Sequence, residues 1–294
     1  MKRLADSIER VGLIGNSEKV SCASVVSRAA RLITAAGRRL FSDPVTTQLA
    51  RLKAVVCPNA ATLARQVDLL LVFGGDGTML RVAREIAGSR TPILGINIGS
   101  LGFLTAVSSH DLARALRGIW KGEFQFESRV LLQATGRASG RRIEQAALND
   151  IVISRGIESR LIELDVKVNR ELLTRYRCDG LIVSSPTGST AYSLAAGGPV
   201  IFPTAGVLAL TPICPHTLSN RALVLPLTAT IEICVISPKP AIVLSADGQM
   251  ISEMGTGDHV TVRQSRRTVR LMHLAGSSFC ETLRHKLHWR GTPL

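Results

Sequence analysis

The first third of the chain alternates short apolar runs with stretches in which apolar residues recur every three to four positions. The apolar runs cover residues 11–15, 54–57, 69–73 and 93–98, and the helical spacing covers 20–36 and 79–87. Apolar runs of this length predict buried strands, and the helical spacing predicts helices between them. Strands that alternate with helices predict a parallel sheet covered on both faces, with ligands bound at the carboxyl ends of its strands.

The pattern changes after about residue 106. A helix is predicted at 111–120, and strand-like alternation follows at 160–168, 229–237, 241–245, 259–264 and 268–273. In the first of these strands Ile162, Leu164, Val166 and Val168 share one face, and Asn169-Arg170 is the predicted turn. Such alternation with frequent turn residues is typical of sheets packed face to face. A helical pattern returns at 277–289.

These patterns predict an α/β plus all-β protein with two domains. A Rossmann-like parallel α/β domain is expected at 1–105 together with a C-terminal helix at 275–294. A β-sandwich domain is expected at 106–274.

Composition and charge favour a globular protein that binds anionic ligands. The 294 residues are 46% hydrophobic and 20% charged, and the net charge is +14. A basic balance suits polyanions such as nucleotides, although a surface of solvated arginines explains the charge about as well. The arginines are scattered and aromatic residues make up only 4%, so no nucleic-acid partner is expected.

The cysteines and the apolar segments indicate a cytoplasmic protein that does not enter a membrane. The six cysteines form no CxxC pair or zinc-like spacing, which favours a reducing compartment. The first ten residues carry charges where a signal peptide needs an apolar core. Residues 184–220 lack Asp, Glu, Lys and Arg, but five prolines interrupt them and argue against a spanning helix.

Gly74-Gly75-Asp76-Gly77-Thr78 is the most informative short segment, because it joins an apolar strand directly to a helical pattern. Glycines let the backbone approach a bulky ligand, and the N–H groups at a helix start favour anions. Asp76 is unexpected if phosphate is the only ligand, since like charges repel. It therefore suggests a phosphate site that also needs a base or a metal ligand. The alternative is that Asp76 is a turn or cap residue.

A second segment, residues 179–200, places a strand at 181–183 before a turn of small hydroxylated residues and a short helical stretch at 191–196. Its N–H groups, hydroxyls and the ring of Tyr192 suit a nucleotide. The competing interpretation is a Ser/Thr-rich cap that only ends a strand.

Taken together, the segments resemble bacterial NAD kinases in order and spacing. The matching segments are 74–78, Asn97 to Thr105, Asn149-Asp150, Asp179-Gly180, Pro186 to Leu194, Pro215 to Leu218 and Ala246 to Gln249. The resemblance extends from about residue 10 to 289 and is weakest before residue 68. Diacylglycerol and sphingosine kinases share only the glycine loop, which phosphofructokinases have as a variant.

The resemblance implies transfer of the γ-phosphoryl of ATP, or possibly of polyphosphate, to the 2′-hydroxyl of the adenosine ribose of NAD. Asp76 is then the general base, and Gly75, Gly77 and Thr78 hold phosphate. Arg81 on the following helix is equally well explained as a phosphate contact or as part of a solvated helix face.

The resemblance also implies a dinucleotide site and an assembly. The dinucleotide-binding residues are Asn149, Asp150, Arg160, Arg177, Asp179, Thr187, Thr190, Ala191, Tyr192, Ser193, Leu194, Ala195 and Gln249. Many relatives have Glu where this chain has Asp150, and Gln249 is explained nearly as well as an exposed turn residue. A homodimer or homotetramer is expected, and some of these residues would reach a neighbouring subunit's site. Mg²⁺ is expected to arrive with ATP, without a dedicated protein metal site.

Two alternatives of other classes stay open at this stage. A lipid kinase of the diacylglycerol type would share the glycine loop but gives no account of Asn149-Asp150 and residues 190–194. A non-catalytic dinucleotide sensor would use Asp76 only as a cap.

Overall fold

The computed structural model describes residues 7–99, 102–105, 107–156, 160–217, 219, 221–237 and 242–289. Ser100, Leu101 and Leu218, which belong to segments of the resemblance, lie outside the described residues, as does Ala241 at the predicted start of one strand. The chain divides into two compact units. Unit 1 comprises Met1–Ser128 and Val269–Leu294, and unit 2 comprises Arg129–Thr268.

These boundaries differ from the predicted ones at 105 and 275. Residues 106–128 belong to unit 1 because the helix Leu112–Lys121 buries Leu112, Leu116 and Ile119 in the core of that unit. Residues 269–274 belong there because Leu271 pairs with Ile93, one of the parallel strand residues.

Unit 1 contains a parallel sheet in the order β3-β2-β1-β4-β5. Its strands are β1 (Arg10–Gly15), β2 (Arg39–Ser42), β3 (Val55–Val56), β4 (Leu69–Gly74) and β5 (Ile93–Asn97), with the short β6 (Val107–Ser108) beside β5. Leu71 of β4 lies between Leu13 and Leu94 in the register. Every residue of β4 is buried, which agrees with an apolar run that has no polar face.

Among the described residues, five α-helices match predicted helical segments with shifted ends, whereas Pro44–Ala50 and Ala60–Gln66 are helices that the sequence pattern did not predict. The helices are α1 (Cys22–Ala35), α2 (Pro44–Ala50), α3 (Ala60–Gln66), α4 (Asp76–Glu85), α5 (Leu112–Lys121), α6 (Tyr192–Ala195) and α7 (Phe279–Lys286). α4 begins three residues before the predicted start at Met79, because Gly75 takes the extended cap conformation at φ −118° and ψ −171°. Asp76 therefore lies in the first turn of a helix.

Unit 2 contains two sheets packed face to face. One is antiparallel in the order β14-β13-β12-β9-β16-β17, and the other joins β11, β10 and β15 with parts of β7, β8 and β18. The strands are β7 (Phe124–Ala138), β8 (Arg141–Ala147), β9 (Asp150–Arg155), β10 (Ile162–Val168), β11 (Glu171–Cys178), β12 (Gly180–Ser184), β13 (Val207–Ile213), β14 (Leu223–Pro226), β15 (Ile231–Val235), β16 (Ile242–Ala246), β17 (Gln249–Met254) and β18 (His259–Leu274).

The core between these sheets confirms the predicted sandwich. Ile162, Leu164 and Val166 of β10 are fully buried together with Leu181 and Val183 of β12. The predicted fold class, a parallel α/β unit with an antiparallel β unit, is confirmed.

One strand prediction is wrong. The separate strands expected at 259–264 and 268–273 are a single strand, β18, of 16 residues. Arg266 and Arg267 interrupt the hydrophobic pattern because both are exposed, but the backbone stays extended.

Two turns adopt left-handed backbone where the sequence favours it. Asn169 and Arg170 have φ of 53° and 72°, which confirms the predicted turn. Asp247 and Gly248 have φ of 48° and 76° and join β16 to β17.

Two structural features bear on the compartment and membrane predictions. All six cysteines are free thiols. Among the described residues, no helix is both long enough and apolar enough to cross a membrane.

Candidate functional site

The glycine loop of unit 1 leaves β4 and turns at once into α4. A Cβ on Gly74 would collide with the side chain of Thr78, so the backbone there requires glycine. A Cβ on Gly77 would meet nothing within 4 Å, and Gly77 is exposed. The N–H of Thr78 donates to the carbonyl of Gly75 at 3.1 Å. The N–H groups that precede it at the helix start lie where an anion is favoured.

The carboxylate of Asp76 is held by residues 103–105, which follow β5. Its Oδ2 accepts from the N–H of Phe103 at 2.8 Å. Its Oδ1 accepts from the N–H of Leu104 at 3.1 Å and from both the N–H (3.2 Å) and the hydroxyl (3.1 Å) of Thr105. A Cβ on Gly102 would collide with the same carboxylate, so the chain approaches it as closely as glycine allows. Within the described residues, Oδ1 accepts three hydrogen bonds and Oδ2 accepts one, so Oδ2 keeps one acceptor position there.

The loop that follows β1 supplies two residues that the sequence reasoning missed. Asn16 donates from Nδ2 to the hydroxyl of Thr78 at 3.2 Å. The Nζ of Lys19 lies 3.7 Å from the Cβ position of Gly75 and 3.4 Å from that of Gly99. A cation thus lies beside the glycine loop. Because β1 and β4 are neighbouring parallel strands, the loops after them meet at one sheet edge, and that rule would have pointed to residues 16–19.

Arg81 lies on the exposed side of α4. Its guanidinium donates to Glu85 at 3.0 Å, and the two side chains are 41% and 40% exposed. This pair is the arrangement that a solvated helix face predicts. A phosphate contact by Arg81 stays a prediction.

In unit 2, Asn149 and Asp150 lie at the start of β9 and are held by Asp247. The Oδ1 of Asp247 accepts from the N–H groups of Asn149 (2.7 Å) and Asp150 (3.3 Å), and its Oδ2 accepts from Leu148 (3.0 Å). The backbone carbonyl of Asn149 accepts from the N–H of Ser185 at 2.8 Å. Within the part of the chain that the structure describes, the buried Oδ1 of Asn149 has no hydrogen-bond partner. An orphaned acceptor of this kind indicates a missing donor from a ligand or water.

Asp150 is an acid in an unusual state. It is only 4% exposed, and burial, together with the negative charge of Asp247, raises its pKa to about 7. Strongly perturbed acids occur preferentially at functional sites, although structural networks also perturb them.

The hydroxylated turn after β12 is built mainly to satisfy itself. Ser189 donates to the carbonyl of Pro186 at 2.8 Å and accepts from the N–H of Ile201 at 2.9 Å. Ser193 shares a hydrogen bond of 2.9 Å with Thr211. These buried hydroxyls hydrogen-bond within the protein and fix the shape of the turn. A ligand would therefore contact the exposed and half-buried residues of the segment.

The other predicted residues of this segment differ in exposure. Thr187 is buried and accepts from the buried Arg129 at 3.2 Å. Tyr192 is 46% exposed and leaves its ring accessible for stacking. Ala195 is exposed, and Thr190, Ala191 and Leu194 are half-buried.

The remaining predicted residues lie at the surface of unit 2. Asp179 pairs with Arg155 at 2.8 Å, and Arg177 pairs with Glu163 at 3.1 Å. Arg160 is exposed, and Gln249 is exposed directly after the turn at Asp247-Gly248. Among the described residues there is no cluster of three His, Cys, Asp or Glu that could hold a metal ion.

Two solved structures share the fold. A yeast NADH kinase complexed with NADH matches with a TM-score of 0.88 and 24% identity over 98% of this chain and 89% of its own. An NAD kinase from Archaeoglobus fulgidus in complex with ATP matches with a TM-score of 0.75 and 23% identity over 96% of this chain and 100% of its own. At this identity the likeness shows the fold alone.

Sequence comparison identifies the family. The ATP-NAD kinase N-terminal domain matches residues 11–124, and the ATP-NAD kinase C-terminal domain matches residues 148–274. The NAD kinase of Moorella thermoacetica is 40% identical over 97% of this chain and 91% of its own length. That of Syntrophotalea carbinolica is 44% identical over 79% of this chain and 81% of its own length. With both family domains matched in order and relatives this similar, the chain belongs to the ATP-NAD kinase family.

Proposed function

We propose that this chain is an NAD kinase, which transfers the γ-phosphoryl of ATP to the 2′-hydroxyl of the adenosine ribose of NAD and so makes NADP. The observation that supports it most directly is the carboxylate of Asp76, which lies in the first turn of α4. Residues 103–105 hold it with four hydrogen bonds and leave one acceptor position on Oδ2. A base needs this arrangement: a fixed carboxylate, next to a phosphate-binding helix start, with a free lone pair.

Asp76 would act as the general base. A ribose hydroxyl is a weak nucleophile at neutral pH, and a carboxylate that accepts its proton during transfer promotes attack on the phosphorus. The proton passes to Oδ2 of Asp76, the bond between the γ-phosphorus and the bridging oxygen breaks, and ADP leaves. The hydrogen bonds from residues 103–105 keep the carboxylate in one orientation throughout.

The phosphate side of the reaction would be held by Gly75, Gly77, Thr78 and Lys19. Gly75 and Gly77 would offer backbone N–H groups at the start of α4, Thr78 would offer its hydroxyl because its N–H donates to the carbonyl of Gly75, and Lys19 adds a positive charge beside Gly75. Mg²⁺ bound to the ATP phosphates would neutralise charge on the transferred group. Arg81 remains a further candidate for this side.

The dinucleotide side would be formed by Asn149 and Asp150, with Tyr192 stacking on the adenine. The orphaned Oδ1 of Asn149 suits a ribose hydroxyl as donor, and a protonated Asp150 also has an O–H to donate. The remaining residues proposed for this side are Arg160, Arg177, Asp179, Thr187, Thr190, Ala191, Ser193, Leu194, Ala195 and Gln249. We also propose a homodimer or homotetramer and a cytoplasmic location, the latter supported by six free thiols.

The experiment is to incubate the purified protein with ATP, Mg²⁺ and NAD and to measure NADP⁺ with an NADP-specific dehydrogenase. Parallel reactions replace ATP with polyphosphate, NAD with NADH, and NAD with diacylglycerol. We expect NADP⁺ with ATP, and no phosphorylated lipid. If NAD binds but no donor yields NADP⁺, the protein is a dinucleotide sensor and the proposal is wrong.

A further inference from the structure

We propose that Asp247 is a positioning residue for the dinucleotide: its carboxylate orients residues 148–150 so that Asn149 and Asp150 face NAD. This inference rests on the proposed function, because it takes NAD as the ligand of Asn149 and Asp150. Asp247 is not among the predicted site residues.

The contacts form a closed clamp between two segments that are almost a hundred residues apart. Three successive N–H groups, those of Leu148, Asn149 and Asp150, donate to the two oxygens of Asp247 at 2.7–3.3 Å. In return the N–H of Asp247 donates to the carbonyl of Asp150 at 3.0 Å. The backbone entering β9 is therefore fixed from both directions by one residue.

The clamp requires the turn in which Asp247 lies. Its φ of 48° places it in the left-handed region, and Gly248 continues the turn with φ of 76°. Ala246, the residue before it, pairs with Ile151, so the turn lies directly beside the start of β9. Asp is among the few residues that tolerate this conformation, and its short side chain reaches the neighbouring N–H groups.

A second observation separates a positioning role from simple turn chemistry. The backbone of Asn149 is fully used, because its N–H donates to Asp247 and its carbonyl accepts from Ser185. A Cβ on Gly188 would collide with that carbonyl, so the turn after β12 also presses on it. Yet the buried side-chain Oδ1 of Asn149 has no partner in the described part of the chain. The loop is thus held rigidly around an acceptor that still needs a donor.

The clamp also has an electrostatic cost. Its negative charge lies close enough to the buried Asp150 to disfavour a second charge there. From β12 the residue that faces Asp150 is Ser184, which is uncharged and does not relieve the repulsion. A neutral side chain at position 247 would avoid this repulsion. A carboxylate is nevertheless useful there because its two oxygens can accept all three N–H groups and so orient the site.

The test compares Asp247→Asn with a matched control, Asp258→Asn. Asp258 also lies in unit 2 and holds a surface turn, since its Oδ2 accepts from the N–H groups of Ser139 and Gly255, both at 2.8 Å. Both substitutions remove a carboxylate that accepts backbone N–H groups, but only Asp247 contacts the Asn149-Asp150 loop. NAD affinity is measured by calorimetry, Tm by scanning calorimetry, and kcat and KM for NAD and ATP by NADP⁺ formation.

We expect Asp247→Asn to weaken NAD binding by roughly 10- to 100-fold, the range for hydrogen bonds that involve a charged group. kcat at saturating NAD and KM for ATP should change less than about threefold, because unit 1 and Asp150 itself are unaltered. In addition, the midpoint of the pH dependence of NAD affinity should move to lower pH, because Asp150 loses its negative neighbour. Asp258→Asn should lower Tm similarly and leave NAD affinity and its pH midpoint unchanged.

The proposal is wrong if both variants affect NAD affinity equally, or if Asp247→Asn lowers only Tm. Calorimetry keeps this result separate from the proposed function: NAD binding that depends on Asp247 in a protein that makes no NADP⁺ would contradict the kinase and support the clamp.

Discussion

Units 1 and 2 use the same local device for different purposes. In each, an aspartate carboxylate accepts three consecutive backbone N–H groups from a distant loop: residues 103–105 bind Asp76, and residues 148–150 bind Asp247. Asp76 keeps an acceptor position and is itself the proposed base. Asp247 is the proposed positioning residue for its loop, and the proposed ligand contacts belong to Asn149 and Asp150. The hydrogen bonds that a carboxylate accepts therefore do not show whether it is a base or a positioning residue. The position of the acceptor atom that still lacks a donor among the described residues is what separates the two: it is on Asp76 itself in unit 1, and on Asn149 in unit 2.

The surroundings of the two carboxylates also suit different ligand groups. Asp76 stands among glycines and beside Lys19, an environment open to a highly charged phosphate chain. The loop that Asp247 holds contains the buried Asp150 and contacts the buried Ser184 and Ser185, an environment suited to a neutral, hydroxyl-rich ribose. We expect substitutions in unit 1 to alter turnover and ATP use, and those in unit 2 to alter NAD binding and stability.

The largest expected effect is that of Asp76→Asn, which should lower kcat by roughly 10²–10⁴-fold, the range for loss of a general base, with little change in NAD affinity. Asp68→Asn is the matched control, because Asp68 lies just before β4 and accepts from the N–H groups of Glu9 (3.1 Å) and Arg10 (2.8 Å). The control should lower Tm without lowering kcat. Near-wild-type turnover of Asp76→Asn would remove Asp76 from the mechanism.

Asp150→Asn should change how stability depends on pH. Because the pKa of Asp150 is about 7 in the folded protein and near 4 in an unfolded chain, the folded state holds an extra proton between these values. The wild type therefore loses stability as pH rises from 4 to 7, by on the order of 3 kcal/mol from this group. Asparagine does not titrate, so the variant should gain Tm relative to wild type across this window.

The control for this pH dependence is Asp165→Asn. A hydrogen bond from Arg175 holds the pKa of Asp165 below its usual range, so its contribution has the opposite sign and is lost as pH falls. A Tm difference between Asp150→Asn and wild type that stays constant from pH 4 to 8 would show that Asp150 is not a buried, late-titrating acid.

Gly102→Ala should separate positioning of the base from phosphate binding. The new Cβ would collide with the Asp76 carboxylate and displace it, so kcat should fall on the order of 10²-fold, as expected for a misplacement of about 1 Å. Gly77→Ala meets no protein atom within 4 Å and should keep Tm, but its methyl group would crowd the phosphate and raise KM for ATP. Identical changes in kcat and in KM for ATP in the two variants would contradict the separate roles of Gly102 in positioning the base and of Gly77 in phosphate binding.

The smallest effect expected is that of Lys19→Ala, a rise of roughly tenfold in KM for ATP from loss of one charge-assisted contact. Lys53→Ala removes the same charge from an exposed position of unit 1 and serves as the control. NAD affinity should be unchanged in both. An equal rise in KM for the two variants would mean that net charge, and not the place of Lys19, matters.

Much of the fold follows from local patterns. The apolar run of β4 and the alternation of Ile162, Leu164 and Val166 led to a correct fold class, and the glycine loop with its companion segments led to the family, which is confirmed. The interruption of β18 at Arg266 and Arg267 was predicted wrongly because exposed polar side chains break a hydrophobic pattern without breaking backbone pairing.

The sequence by itself thus determined the types of the two units, the start of a helix at a glycine-rich turn, and the presence of Asp76 there. These depend on residues close together in the chain, through strand and helix periodicity and glycine geometry. Only the tertiary structure decided which atoms each carboxylate meets. Phe103 to Thr105 lie 27–29 positions from Asp76, and Leu148 to Asp150 lie 97–99 positions from Asp247. Such hydrogen bonds form when sheet packing brings distant loops to one strand edge, and no local pattern encodes them.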